Sequence, residues 1–254
     1  MMSYNFLMVL LFLYVNWSIG VKVACRTSND ASFETVCECT ERTRTVNCSY
    51  RGLNEWPVGI PINTYYLGIN NNSLRRLPSF PKSIQSVYAA YNLLTDISTA
   101  FNDLPRLYNV YIQHNSITSL DNTLFKDSPS INKLDISFNQ IHTIEPFTFA
   151  KLQLSVIDIQ YNHNLQRLCE NSFALTTRLN YGIVIANNNL VHISTGTFKN
   201  VTGGSGIFLN GNTLQNIPSR AFQGGNTQII NLEENKISFI HKDAFFALDS
   251  IHIL

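Results

Sequence analysis

Residues 110–120 read VYIQHNSITSL, and residues 134–144 read LDISFNQIHTI. Laid over one another they share a frame: apolar, any, apolar, any, any, Asn, any, apolar, any, any, apolar. Residues 67–77, LGINNNSLRRL, repeat it. The asparagine returns eight times, at Asn72, Asn92, Asn115, Asn139, Asn162, Asn188, Asn212 and Asn235, at intervals of 20 to 26 residues. The two apolar positions before it alternate with period two, so they form a short strand with one face inward. The chain must then turn a corner. An amide side chain suits that corner because it donates and accepts hydrogen bonds at once. Stacked at one place in every coil, the eight asparagines are expected to form a buried ladder.

No single coil of this length can bury its own apolar side, so stability must come from contacts between neighbours. A phenylalanine recurs about ten residues after most of the asparagines, at Phe125, Phe149, Phe173, Phe198, Phe222 and Phe245. These predict a second column under the outer surface. Strands stacked about 4.8 Å apart over eight coils give a curved parallel sheet roughly 35 Å long. The frame and its period are those of leucine-rich repeats, which run at about 20–29 residues. The expected fold is therefore an α/β solenoid: a leucine-rich repeat horseshoe with its sheet on the concave face and about eight complete repeats.

The chain divides into a signal peptide at 1–20, a cysteine-rich cap at 21–60 and repeats at 61–254. Phe6 to Val15 is an unbroken apolar run, followed by the small residues Ser18 and Gly20. The run is too short to span a bilayer as a helix. It reads as a secretory signal cleaved near Gly20, although no Lys or Arg precedes it. Cys25, Cys37, Cys39 and Cys48 follow at once, which implies two disulfides in an oxidising compartment. Three pairings are open to four cysteines. A zinc site would want C-x-x-C knuckles, which Cys37-x-Cys39 does not supply. The cap is needed because the first coil exposes an apolar edge and open strand hydrogen bonds. At the other end, Ile251 to Leu254 reads as the opening of a ninth strand, and the chain is expected to be part of a longer protein. Cys169 is the odd cysteine and is expected to be a small buried residue, with a partner beyond Leu254 as the alternative.

Lys and Arg total 18 and Asp and Glu total 17, so the net charge of +1 argues against broad attraction to nucleic acid or membrane surfaces. The N-x-S/T acceptor pattern marks Asn47, Asn71 and Asn200 as candidate glycosylation sites. Asn200 falls on the outer side, and Asn71 on the inner face or its rim.

The side chains between the leucines should point out of the concave sheet. Tyr91, His114, Phe138 and Tyr161 are expected to hold one equivalent place on four successive strands, with Tyr88 and Tyr111 beside them. Outward aromatic residues anchor protein interfaces, but they also suit strands and stack on one another. Asp135 lies next to Asp158 in the neighbouring coil, and Glu233 and Glu234 follow farther along. These carboxylates favour a partner bearing Lys or Arg. The expected ligand-binding surface is thus Tyr88, Tyr91, Tyr111, His114, Asp135, Phe138, Asp158 and Tyr161, and its ligand a protein. Catalysis is not expected. An acid–base pair needs burial that separates two pKa values, which an open sheet face does not give. The histidines lack metal-ligand spacing, and no nucleophile elbow, Walker loop or dinucleotide fingerprint occurs. No cofactor or metal is expected.

The cysteine cap followed by these repeats resembles the extracellular leucine-rich repeat family. That resemblance implies Cys25–Cys39 and Cys37–Cys48 disulfides, and a secreted or cell-surface protein that binds a protein ligand. A narrower likeness lies in residues 157–173, IDIQYNHNLQRLCENSF, with its extra residue between Asn162 and Leu165, and in residues 182–198, GIVIANNNLVHISTGTF. Both are similar to ectodomains of glycoprotein hormone receptors and related leucine-rich repeat receptors. That likeness implies the ligand-binding part of a cell-surface receptor, with a cystine-knot hormone as ligand. The alternative is a secreted or membrane-anchored adhesion or matrix protein without a signalling domain.

Overall fold

The computed structural model describes residues 24–25, 35–150, 152–177, 179–203, 206–248 and the backbone of 252–253. The signal segment expected at 1–20 lies outside the described residues. An eleven-stranded sheet forms one wall of a solenoid. Eight of its strands supply one coil each: Tyr66–Gly68, Ser86–Tyr88, Asn109–Tyr111, Lys133–Asp135, Val156–Asp158, Gly182–Val184, Gly206–Phe208 and Ile229–Asn231. Coils one to eight are numbered by these strands. All neighbours among them pair parallel, with the central residues Leu67, Val87, Val110, Leu134, Ile157, Ile183, Ile207 and Ile230 side by side. All eight central side chains are buried.

Both ends of the sheet are extended. At the start, Glu38–Thr40 and Thr45–Asn47 form an antiparallel hairpin, and the second of these pairs parallel with coil one. Cys25–Cys39 and Cys37–Cys48 are bonded, the pairing the family resemblance implies. The hairpin covers the strand edge that coil one would leave open. At the far end, His252–Ile253 pairs parallel with coil eight, as the ninth strand expected there.

Hydrogen bonds show how each asparagine joins two coils. Asn139 donates from Nδ2 to the Ile136 carbonyl of its own coil and to the Ile112 carbonyl of the coil before. Its Oδ1 accepts from the Ile117 backbone N–H, also of the preceding coil. Asn92, Asn115, Asn212 and Asn235 repeat the pattern. The ladder is buried from Asn92 to Asn212, whereas Asn72 and Asn235 are half-buried at its ends. The extra residue of coil five changes one rung. There Asn188 accepts from the backbone N–H of Asn162 itself, and the Leu165 N–H turns back to the Asn162 carbonyl. The additional residue is absorbed by a tight turn, and Leu165 stays buried.

The aromatic column is longer than the sequence frame suggests. Trp56, Phe80 and Phe101 join Phe125 in one stretch of ring contacts, with centroids 5.7–6.0 Å apart. Phe149, Phe173, Phe198, Phe222 and Phe245 form a second, at 5.2–5.5 Å. Backbone bonds join the coils at these rings as well, from the Phe173 N–H to the Thr197 carbonyl, the Phe198 N–H to the Ala221 carbonyl and the Phe222 N–H to the Ala244 carbonyl. Just before three of the rings, the buried hydroxyls of Thr148, Ser172 and Thr197 donate to carbonyls of their own turn.

Two expectations need correction. The returning limbs are not helical: among the described residues they are turns and two-residue parallel strands such as Ser119–Leu120 with Thr143–Ile144. Left-handed residues interrupt them, among them Asp127, Phe147, Asn171, Leu175 and Arg220, and a residue with positive φ ends any right-handed helix. The solenoid is accordingly all β. Cys169 is exposed, not buried, with its thiol free. It directly follows the inward Leu168 and falls on the outer side of its limb.

Candidate protein-binding surface

Strand register places one row of side chains across the concave sheet. The last residues of coils two to seven align as Tyr88, Tyr111, Asp135, Asp158, Val184 and Phe208. All of them lie one step from the inward leucine position, so each points outward. The Tyr88 and Tyr111 rings stack nearly parallel with centroids 5.1 Å apart. Burial raises the Tyr111 phenol above its ordinary range, and the neighbouring Tyr88 and Asp135 push it the same way.

Asp135 and Asp158 sit on paired positions of adjacent strands. Each carboxylate is braced two residues on. Ser137 donates to Asp135 from both its backbone N–H and its hydroxyl. Gln160 donates to Asp158 from its backbone N–H and its amide. Desolvation raises the Asp158 pKa, and the nearby Asp135 adds to the rise, while the Gln160 bonds oppose it. Among the described residues neither acid has an ion-pair partner within 4.0 Å. Ser137 and Gln160 had no assigned part in the sequence reading. The signal was available, since a polar residue two positions after an acid shares its face of the strand.

A second aromatic row runs along the exit edge of the sheet. Tyr91, His114, Phe138 and Tyr161 stack in succession with centroids 4.2, 4.2 and 4.4 Å apart. The Asn187 amide donates to the Tyr161 hydroxyl at the end of the row. The sequence reading put these residues on the strands. They lie instead in the turn three residues past each strand, immediately before the ladder asparagine. That turn has positive φ in every coil, 52–55° at the four ring residues. Asn71, Asn187, Gly211 and Glu234 hold the same place in coils one, six, seven and eight. Asparagine and glycine tolerate left-handed backbone, but it is an outlier for bulky side chains. The occupants of the other coils were a legible sign of the turn.

All eight residues of the expected surface therefore come together in coils two to five, in two parallel rows: Tyr88, Tyr111, Asp135 and Asp158 on the strands, and Tyr91, His114, Phe138 and Tyr161 in the turns. Of the candidate glycosylation sites, Asn47 and Asn200 are exposed, and Asn71 is partly so, at the head of the exit-edge row. Among the described residues no group of three His, Cys, Asp or Glu is arranged to hold a metal ion.

A disulfide-capped parallel solenoid with an open, decorated concave face is the architecture of an extracellular recognition domain. The family model described as leucine rich repeat matches residues 105–164 and 207–254 of the chain. It is 27% identical over 207 residues to Tsukushi-A of Xenopus laevis, covering 81% of this chain and 53% of that protein. It is 28% identical over 211 residues to human oligodendrocyte-myelin glycoprotein, covering 81% of this chain and 46% of that one. Bovine keratocan matches at 24% over 237 residues, 90% of this chain and 59% of keratocan. The chain thus spans about half the length of the relatives it matches. The relatives are secreted, matrix or cell-surface leucine-rich repeat proteins, and this chain is extracellular.

Proposed function

We propose that the concave face of coils two to five binds a protein partner, as part of a secreted or membrane-anchored adhesion or matrix protein. The observation that carries the reading is the exit-edge aromatic row. A non-glycine residue held at positive φ costs about 1–3 kcal/mol. An offset aromatic pair returns only about 0.5–1.5 kcal/mol. The row therefore contributes little net stability, and coils one, six and seven manage the same turn with Asn or Gly. Four exposed or half-exposed rings kept at that cost are best explained as anchors for another molecule, since aromatic residues dominate interface hot spots.

The acid pair supports a partner surface that presents Lys or Arg. A cation between Asp135 and Asp158 would relieve their mutual repulsion, and the Tyr88 and Tyr111 faces suit a guanidinium. The hormone-receptor reading rests on the likeness of residues 157–173, with their extra residue, and of residues 182–198. It gives way to the adhesion or matrix reading, because the relatives are of that kind. A glycan on Asn200 would leave the concave face clear, whereas Asn47 shares the outward row of Gly68 and Tyr88, so a glycan there would flank the tyrosines, and one on Asn71 would stand at the end of the exit-edge row.

The test is a multimerised, secreted form of the chain screened against an array of secreted and cell-surface ectodomains. Binding that disappears in a Tyr88→Ala, Tyr111→Ala, Phe138→Ala variant secreted at normal levels is the expected result. Binders that survive this triple substitution would overturn the assignment.

A further inference from the structure

The entry edge of the same sheet, opposite the aromatic row, carries a feature of different chemistry. A cleft of about 460 Å³ lies beside the starts of the strands of coils three to six, lined by Tyr108, Ser130, Asn132, Gln153, Ser155 and Asn180. Its size falls within the roughly 300–1,000 Å³ of small-ligand sites. Such sites are usually apolar with a few polar groups. This one is reversed: all six residues carry an amide or a hydroxyl, Tyr108 alone adding a ring, and none of the six is charged at neutral pH.

The hydrogen bonds within the cleft leave usable groups. Ser155 Oγ accepts from the Asn132 amide at 2.7 Å and from the Asn180 amide at 3.4 Å. With its lone pairs so engaged, the Ser155 proton is left to donate outward. Both amides give their N–H to Ser155, so their Oδ1 atoms are turned to accept. Asn132 and Ser155 are themselves held by backbone bonds, Asn132 N–H to the Tyr108 carbonyl and Ser155 N–H to the Asn132 carbonyl. The Tyr108 ring forms the aromatic wall and is 50% exposed, although its coil neighbour Leu107 is buried.

We propose that this cleft binds an uncharged saccharide. A pyranose presents adjacent hydroxyls, each a donor and an acceptor, which match a lining of mixed amide and hydroxyl groups. Its axial C–H face is apolar and packs against an exposed aromatic ring. An anionic ligand would find no counter-charge on the lining, and an apolar one would desolvate its amides and hydroxyls without replacing their bonds. The site lies outside the protein-binding surface proposed above, and its failure would leave that surface untouched.

Saturation-transfer NMR on the secreted chain tests it, with N-acetyllactosamine, mannotriose and maltotriose as probes at about 10 mM, where millimolar affinity registers. The same sugars attached to an asparagine-linked glycopeptide form a second arm, and a heparin-derived hexasaccharide is the charged control. Transfer to at least one neutral probe is expected, with affinity falling about tenfold in Tyr108→Ala and retained in Tyr108→Trp. The Tyr88→Ala, Tyr111→Ala, Phe138→Ala variant should bind sugar normally. Binding of the free sugar points to a soluble ligand and binding only of the glycopeptide to a glycosylated partner, and both uphold the site. No transfer to any neutral sugar, free or carried on the glycopeptide, preference for the heparin fragment, or equal affinity in Tyr108→Ala would overturn it.

Discussion

Coils two to five and coils six to seven are built on one backbone frame, yet they present opposite surfaces. In the first group the outward positions hold Tyr88, Tyr111, Asp135 and Asp158, and the following turn holds Tyr91, His114, Phe138 and Tyr161. In the second, outward positions fall to Gly182, Val184, Ala186, Gly206 and Gly211, with Phe208 the one large ring. The inner frame is the same in both: Ile157 and Ile183 pair in register and are equally buried. Burial of the strand core thus leaves the outward positions free to vary. The crowding in coils two to five is additional to what the solenoid needs, which is why function is assigned there.

The largest effect should come from breaking that contrast at its centre. The Tyr88→Ala, Tyr111→Ala, Phe138→Ala variant is expected to lose partner binding by about a hundredfold or more, on the scale of two hot-spot residues. Val184→Ala with Phe208→Ala in the bare region should change affinity less than about threefold. Surface plasmon resonance on the two variants decides it. Equal losses would mean that the whole face, not one half of it, carries the contact.

Glycines sharpen the comparison through stability. At Gly182, φ is +117° and an added Cβ would sit 2.2 Å from the Gly206 carbonyl oxygen, an unyielding backbone atom. Gly182→Ala should cost about 2–4 kcal/mol by denaturant unfolding. At Gly206 the atoms nearest the added Cβ belong to the Phe208 ring, at 2.6 Å, and φ is not positive. That ring can swing aside, so Gly206→Ala should cost about 1 kcal/mol or less. A reversed order would mean that the Phe208 ring is locked in place.

The ladder is common to both regions and should respond alike in each. Asn139→Ala and Asn212→Ala each leave buried backbone groups without partners and are expected to cost about 1–3 kcal/mol. Calorimetry showing an unchanged melt for either would remove the ladder as a source of stability.

The smallest effect is electrostatic. The Asp158 pKa is raised on folding, so the folded chain binds this proton more tightly than the unfolded one. Its contribution therefore becomes unfavourable as pH rises through the unfolded value and then the folded one, and is relieved on acidification. Asp158→Asn should raise Tm at pH 7 on the order of 1–2 °C, and by less near pH 4. An equal gain at both pH values would rule out charge as the cause.

The strand frame, the asparagine corners and the cysteine cap were legible in the sequence because each rests on a local rule: period two, an amide at a corner, cysteines after a secretory signal. The returning limbs were not. They carry no strict pattern beyond their phenylalanine, and the left-handed residues that keep them from being helical, such as Phe147 and Leu175, are not residue types that announce positive φ. Trp56, Phe80 and Phe101 escaped the column because the early coils space their aromatic residue differently from the later ones. Cys169 was misplaced for a related reason: the side of a turn that a residue faces depends on backbone geometry, not on its hydrophobicity. At the binding surface, the members of both rows could be listed from the frame. Their separation into strand and turn, and the cleft beside Tyr108, required coordinates.

Replacing the exit-edge row by the residue types that the neighbouring coils use tests the central claim most directly. A Tyr91→Asn, His114→Gly, Phe138→Asn, Tyr161→Asn chain, with glycine at 114 because asparagine there would create an N-x-S acceptor with Ser116, should melt within about 1–2 kcal/mol of the parent, because relieved backbone strain offsets lost stacking, and should bind no partner. A chain that melts far lower would make the rings part of the scaffold, and one that keeps its affinity would move the contact elsewhere; either result contradicts the account.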